Sequence, residues 1–135
     1  MQKSTLDTDF SYRLFGSEKS KLIDDKVCEA FAKPFVLMLR AAEAAKKLLV
    51  KENAGSVTIF IGKGNNGEDG LCLAALLKIE NIKTHVIDLD YKNRPETYAY
   101  RLCLNLGINT EKYITKKIPK ADWYVDAIFG IGLNR

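Results

Sequence analysis

Four side chains that could bind or activate a ligand lie within five consecutive residues. They are Asn65, Asn66, Glu68 and Asp69, in the glycine-rich segment GKGNNGEDG. Glycine permits a sharp turn and lets backbone N–H groups approach a bound group closely. Carboxamide and carboxylate oxygens grouped in this way suit a hard monovalent or divalent cation. The segment is therefore predicted to be a ligand-binding turn.

Three glycines of this segment have the GxGxxG spacing of a dinucleotide-binding turn. They are Gly62, Gly64 and Gly67, and Asp88 follows 21 residues after the last of them. Because glycine-rich turns of this kind are common, the spacing leaves open a dinucleotide turn, another ligand loop or a purely structural turn. The two asparagines favour another ligand loop, since a pyrophosphate turn seldom needs carboxamides.

Asp126 is the second candidate for chemistry, because it interrupts an otherwise apolar run, WYVDAIF. A buried carboxylate is costly unless a cation or a hydrogen-bond donor compensates it. A ligand role at a nearby site is one interpretation. The alternative is an aspartate that accepts backbone N–H groups and caps a loop.

The elements that position these residues alternate between helix and strand, which predicts an open parallel sheet with helices around it. Right-handed crossovers place the strand before the glycine turn beside the strand that contains Asp126. The predicted helices are residues 18–31, 34–51, 69–79 and 95–106, and the predicted strands are 57–61, 83–89, 113–115 and 123–129.

Two loops are predicted to meet at the carboxyl ends of these neighbouring strands, where ligands bind in doubly wound sheets. The first is the glycine turn. The second is the segment GIGLNR, which offers the backbone N–H groups of Gly130, Ile131, Gly132 and Leu133 and the side chains of Asn134 and Arg135. Together they could enclose a ligand the size of a nucleotide.

Composition and charge limit the class of protein. With 135 residues, 47% of them apolar, the chain has the size of one domain, with residues 1–17 as a polar N-terminal extension. A net charge of +4 without clustered arginines gives no reason to expect nucleic-acid binding. We expect a cytoplasmic protein without membrane association, because no signal peptide or membrane-spanning run is visible. The three separated cysteines and the single histidine, His85, are interpreted as structural.

The segments GKGNNGEDG and VDAIFGIGLNR, in this order, resemble the NAD(P)H-hydrate epimerase family, also called the YjeF N-terminal domain. The resemblance covers about residues 20–135. It implies a Rossmann-like three-layer α/β/α sandwich with a mostly parallel sheet, incomplete relative to the family. It also implies interconversion of the R and S forms of hydrated NADH or NADPH, which carry an abnormal hydroxyl at C6 of the nicotinamide ring.

The resemblance also assigns roles to residues. Asn66 and Asp126 would bind potassium, and we expect Asp126 and Asp69 to support acid–base exchange at C6. The partners it implies are the hydrated nucleotide, an NAD(P)H-hydrate dehydratase and a second copy of the chain in a homodimer. The substrate-binding residues would be Asn65, Asn66, Gly67, Glu68, Asp69, Gly130, Ile131, Gly132, Leu133, Asn134 and Arg135.

Several positions depart from the family pattern. Glu68 stands where glycine is usual, which is expected to add charge beside the pocket and a Cβ where a positive φ is preferred. Ile131 replaces a threonine, and Arg40 and Ala42 replace an asparagine and a glycine. Family domains also continue into a further strand with an acid and a serine of the cation site. The chain is therefore expected to be a fragment, a truncated gene product or a split protein. If it ends here, its strand at 123–129 is an open edge, which predicts self-association, aggregation or a complementing fragment.

Two other functions remain open at this point. One is a catalytically impaired binding or scaffold module of the same fold, which the departure at Glu68 favours. Retention of Asn65, Asn66, Asp69 and Asp126 favours the epimerase over the scaffold, because a scaffold needs no intact cation site. The other is half of an NAD-dependent dehydrogenase, which would bind its cofactor independently of potassium and ranks last.

Overall fold

The structure is a computed structural model that describes Leu22 and residues 34–129. The chain divides into two compact units, Met1–Ala32 and Lys33–Arg135, and every element below belongs to the second. The predicted helix at 18–31, apart from Leu22, lies outside the described residues. The same holds for the predicted loop at 130–135. The interpretation of the chain as a single domain stays a prediction.

The described sheet has four strands, all parallel, in the order β3-β2-β1-β4. The predicted adjacency of the first and last strands is confirmed, because Ile61 of β1 lies opposite Ala127 of β4. On its other side Ile61 lies opposite Asp88 of β2. The strands are β1 (Ser56–Ile61), β2 (Lys83–Asp88), β3 (Thr110–Lys112) and β4 (Trp123–Ala127).

Between residues 34 and 129 three helices accompany the sheet, and a short 3-10 turn, Tyr91–Asn93, follows β2. They are α1 (Pro34–Lys51), α2 (Asn65–Ile79) and α3 (Tyr98–Asn105). The central helix, α2, packs on the sheet and is flanked by α1 and α3 in one apolar core. Within the part of the chain that is described, no helix combines the length and apolar character needed to cross a bilayer.

The tight contact between α2 and the sheet depends on Gly70. A Cβ at this position would lie 2.8 Å from both the Ala127 Cβ and the Ile61 Cγ2. The space is instead filled by branched side chains of β1, and Ile59 and Ile61 are fully buried. Burying a side chain of this size stabilises the fold by about 1.5–3 kcal/mol. The helix that begins at the ligand turn is therefore held firmly to β1 and β4.

The connection from β3 to β4 crosses the other face of the sheet, opposite α2. The Thr58 hydroxyl, which points to that face, donates to the Pro119 carbonyl (3.3 Å), and the Tyr124 hydroxyl donates to the same oxygen (3.4 Å). At the start of β4, Asp122 Oδ2 accepts the N–H groups of Gly55 and Ser56, both at 2.9 Å. The winding therefore reverses between β1 and β4, as a doubly wound sheet requires.

Two predicted helix starts are wrong by a few residues. The helix α2 begins at Asn65 rather than at Asp69, so most of the supposed loop is its first turn. Pro95 does not open α3, which begins at Tyr98 instead. There Thr97 serves as the N-cap, because its hydroxyl oxygen accepts the Tyr100 N–H (3.2 Å). The Thr97 cap therefore sets the start of α3.

The third strand was predicted at residues 113–115 but lies at Thr110–Lys112. Tyr113 and Ile114 have the higher β-propensity, yet both are exposed. Pairing with β2 decides the position, since Thr110 lies opposite Val86 and is buried. The fourth strand ends at Ala127, two residues before its predicted end at Phe129.

The buried thiols provide a test of this core. Burial raises the pKa of Cys72 and of Cys103 to about 12, and the Cys103 thiol donates to the Leu71 carbonyl (3.1 Å). In a Cys28→Ser variant we therefore expect no reaction with a thiol reagent at pH 8, because the reactive thiolate is scarce and covered. Two equivalents should react after addition of urea. Rapid labelling of the native protein would contradict this core.

Candidate functional site

The glycine turn and the end of β4 meet at one edge of the sheet, as the sequence predicts. Asn66 Nδ2 donates to the Phe129 carbonyl oxygen (2.6 Å). One residue beyond β1, the Gly62 N–H donates to the Ala127 carbonyl (3.2 Å). The residues that follow Phe129 lie outside the described part, so the predicted contribution of residues 130–135 stays a prediction.

The spacing of the glycines is required by contacts between backbone segments. A Cβ at Gly62 would lie 2.2 Å from the Ile128 carbonyl oxygen, and a Cβ at Gly67 would lie 2.0 Å from the Gly62 carbonyl oxygen. Neither distance is possible for a side chain. Gly64 has a φ of 87°, a conformation that glycine adopts without steric cost. The turn is therefore compressed between β1, β4 and α2.

The first turn of α2 offers hydrogen-bond donors at this edge. Gly64 is the N-cap and has no side chain to accept from the helix. The Glu68 N–H is bonded to the Gly64 carbonyl (3.2 Å), whereas the N–H groups of Asn65, Asn66 and Gly67 belong to the unpaired set at a helix start. Such a terminus favours an anionic group or a ligand oxygen.

The helical geometry places Asn66 and Glu68 on opposite sides of α2, since at 3.6 residues per turn they are about 160° apart. Asp69 is the neighbour of Asn66 three residues on, and the exposed Asn65 lies between Asp69 and Glu68 around the helix. Asn66, on the side of β4, is half-buried, and so is Asp69. Asn66 and Asp69 are thus neighbours on the part of α2 that faces the end of β4.

Glu68 does not have the position that the sequence led us to expect. Its backbone is helical rather than of positive φ, and its side chain is buried. The Thr97 hydroxyl donates to Glu68 Oε2, and Arg94 Nη1 lies 3.8 Å from Oε1. The carboxylate therefore faces the segment between β2 and α3. The expectation that Glu68 adds a charge beside the pocket was wrong, because its carboxylate contacts Thr97 and Arg94 instead.

Arg94 is a residue that the sequence analysis missed. Its Nε donates to Asp88 Oδ2 (2.8 Å) and its Nη2 to Asp88 Oδ1 (2.7 Å). Nη2 also donates to the Gly62 carbonyl (2.8 Å), so the guanidinium holds the ligand turn directly. Only 3% of the side chain is exposed, and hydrogen bonding to Asp88 raises the pKa of Arg94. The sequence feature that could have indicated this partner was Asp88 itself, an aspartate at the end of a buried strand.

These contacts bear on the dinucleotide interpretation of the motif. In that interpretation Asp88 would accept hydrogen bonds from a ribose. Both of its oxygens are instead bound by Arg94, and Oδ1 also accepts the Asp90 N–H (2.8 Å). The geometry thus gives Asp88 a structural role and offers nothing to a dehydrogenase site.

Asp126 lies at the predicted edge but is exposed rather than buried. The prediction of a carboxylate sunk in the sheet was wrong, because β4 is the outer strand of the described sheet. Asp126 Oδ1 accepts the Ile128 N–H (2.9 Å), which is the capping role held open as the alternative. The side chain also lines a cavity of about 440 Å³ beside Phe60 and Tyr124, so it remains accessible to a ligand.

The donor atoms at this edge fit a hard cation better than a transition metal. Asn66 bonds Phe129 through its amide nitrogen, which leaves its carbonyl oxygen directed elsewhere. Asp126 offers carboxylate oxygens at the same end of the sheet, in the cavity beside Phe60 and Tyr124 on the face away from α2. Among residues 34–129, no group of three or more histidine, cysteine, aspartate or glutamate side chains is placed to hold a metal ion. Amide and carboxylate oxygens are ligands of hard ions.

The architecture recurs in a solved structure. The crystal structure of the yeast protein ynu0 (YNL200c) superposes with a TM-score of 0.76 at 21% sequence identity, over 91% of this chain and 59% of that one. Together with the reversed winding at β1 and β4, this likeness defines the protein as a Rossmann-like α/β protein with a glycine-rich turn at the switch point.

The family follows from the sequence comparison. A family model described as YjeF-related protein N-terminus matches residues 34–135, and the chain belongs to that family. An NAD(P)H-hydrate epimerase from Pirellula staleyi is 26% identical over 89% of this chain and 59% of its own length. A bifunctional NAD(P)H-hydrate repair enzyme, Nnr, from Coxiella burnetii is 29% identical over 90% of this chain and 26% of its own length. The chain thus spans less than two thirds of the length of each of these relatives.

The Arg94 cluster can be tested by its contribution to stability. Arg94→Met leaves the carboxylates of Asp88 and Glu68 buried without their cation. Because removal of one partner from a buried ion pair costs about 3–5 kcal/mol, we expect the free energy of unfolding in urea to fall by that amount. The control is Arg101→Met, since Arg101 pairs with Glu96 at an exposed site and should change stability by less than about 0.5 kcal/mol. Equal losses in both variants would contradict a special role for Arg94.

Proposed function

We propose that the protein is an NAD(P)H-hydrate epimerase, which interconverts the R and S forms of hydrated NADH or NADPH. The observation that carries the proposal is the hydrogen bond from Asn66 to the Phe129 carbonyl, because it joins the two motifs of the family at one edge of the sheet. Family membership and relatives named as NAD(P)H-hydrate epimerases support it. The position of Glu68 removes one argument for an impaired scaffold, since its charge is bound by Arg94.

The substrate would lie across the first turn of α2. Donors for its oxygens are the N–H groups and side chains of Asn65 and Asn66 and the N–H of Gly67, beside the half-buried Asp69. Residues 130–135 would close the site from the side of β4. Glu68 would contribute through Arg94 and the Gly62 carbonyl rather than by touching the substrate.

A potassium ion would be held by the carbonyl oxygen of Asn66 and the carboxylate of Asp126, with further oxygens from the backbone. When bound, the ion would stabilise negative charge on a substrate oxygen. The match of donor chemistry supports this choice, because amide and carboxylate oxygens are at hand at this edge. Replacement of potassium by a large organic cation should then reduce the rate.

Inversion at C6 needs the bond from carbon to the hydroxyl oxygen to break and re-form on the opposite face. A carboxylic acid protonates the leaving hydroxyl, which departs as water, and the electron pair of the adjacent ring nitrogen stabilises the resulting cation. Water then adds from the other face and returns its proton to a carboxylate. We assign these transfers to Asp69, in α2 after β1, and to Asp126, the next-to-last residue of β4.

We also propose a functional link to a dehydratase acting on the same hydrated nucleotides. The name of the Coxiella burnetii relative describes a bifunctional repair enzyme, which favours two coupled activities. Epimerisation would supply whichever form the dehydratase accepts. Self-association into a dimer, expected from the exposed position of β4, stays a prediction.

The function is tested by following R and S forms chromatographically after mixing one pure form with the protein in potassium buffer. We expect interconversion above the spontaneous rate. Asp126→Asn and Asp69→Asn should each lower kcat roughly 10²- to 10⁴-fold, because acid–base catalysis contributes about that much. Glu52→Gln, at an exposed position at the end of α1, is the matched control and should retain full activity.

Two outcomes would overturn the assignment. Tight binding of hydrated NADPH without interconversion would make the protein a binding module of the same fold. Activity that survives both aspartate replacements would show that proton transfer depends on other groups.

A further inference from the structure

A second cavity, of about 350 Å³, opens beyond the carboxyl ends of β2 and β3. The 3-10 turn Tyr91–Asn93 forms one wall and Lys112 and Tyr113 form the other. The Tyr113 N–H lies 3.4 Å from the Asp88 carbonyl and joins the two walls. The cavity therefore lies at the same edge of the sheet as the ligand turn, displaced toward β3.

The distance between the glycine-rich turn and this cavity suits an extended dinucleotide. From β4 to β3 the sheet has three strand spacings, or roughly 14 Å. If the proposed function places the nicotinamide between β1 and β4, the adenosine end of the substrate can reach the cavity between β2 and β3. This argument rests on the proposed function.

The charges of the cavity favour an anion. Lys92 and Lys112 line it, both are exposed, and within the described residues neither forms an ion pair. Asp88 is neutralised by the two hydrogen bonds from Arg94. The remaining acid, Asp90, accepts the Asn93 side-chain amide (3.1 Å). Two lysines therefore face a single carboxylate that is not balanced by an arginine.

The pairing of Asp88 with Arg94 indicates which kind of anion the cavity would bind. A free acid at the end of the second strand binds the 2′-hydroxyl of an unphosphorylated ribose, whereas cations there accommodate a 2′-phosphate. Here the acid is occupied and the cations are present. Tyr91 and Tyr113, which are 47% and 42% exposed, offer flat faces for the adenine.

We propose that the cavity lined by Lys92 and Lys112 binds the adenosine 2′-phosphate of the substrate and makes the protein selective for hydrated NADPH over hydrated NADH. The lysines contact the phosphate as two separate positive charges, and Asn93 can add a neutral donor. Selectivity then depends on Lys92, which follows β2, and on Lys112 of β3, which are two and three strands away from Asp126 on β4.

The test in turnover compares kcat/KM for hydrated NADPH with kcat/KM for hydrated NADH. The wild-type ratio should exceed tenfold, and it should fall about tenfold for Lys92→Gln and for Lys112→Gln, since a hydrogen bond to a charged group contributes about that factor. Lys83→Gln removes an exposed lysine at the opposite end of β2 and should leave the ratio unchanged. An equal effect of all three replacements, or a wild-type ratio near one, would overturn the proposal.

A binding experiment separates this proposal from the proposed function. Adenosine 2′,5′-bisphosphate and adenosine 5′-monophosphate are titrated calorimetrically into wild-type protein and the three variants. Tighter binding of the bisphosphate by the wild-type protein and by Lys83→Gln, but not by Lys92→Gln or Lys112→Gln, supports a 2′-phosphate site in this cavity even if no epimerisation is found. Equal binding of both nucleotides refutes it, even if the protein is an active epimerase.

Discussion

The buried guanidinium of Arg94 joins segments that are far apart in the sequence and fixes the position of the ligand turn. It pairs with Asp88 at the end of β2, approaches Glu68 on α2 and donates to the carbonyl of Gly62. A buried cation is tolerated only where anions and acceptors surround it. The end of β2, the turn after β1 and the first turn of α2 are therefore held as one unit.

These contacts of Arg94 explain why the glycine-rich motif accommodates a glutamate. A carboxylate facing the ligand edge would repel anionic groups of a nucleotide. Glu68 instead lies on the side of α2 toward Thr97 and Arg94. Asn66 and Asp69 lie on the other side of α2, so the carboxylate of Glu68 is directed away from them.

The parts of the fold that were predictable from the sequence are those with local signals. The apolar run of β1, the following glycines and the alternation of helix and strand gave the parallel sheet and the adjacency of β1 and β4. Arg94 was not predictable, because its contact to Gly62 spans 32 residues and no spacing rule announces it. The burial of Asp126 was misjudged for a similar reason: burial depends on what covers a strand, and an apolar sequence does not contain that information.

The glycine contacts have a consequence for how such a site can change. Backbone oxygens of Gly62 and Ile128 occupy the volume that side chains would need at positions 67 and 62. The backbone path at these two positions therefore requires glycine, whereas Lys92 and Lys112 at the second cavity are exposed. A change of exposed side chains can therefore alter what such a site binds while the backbone keeps its path.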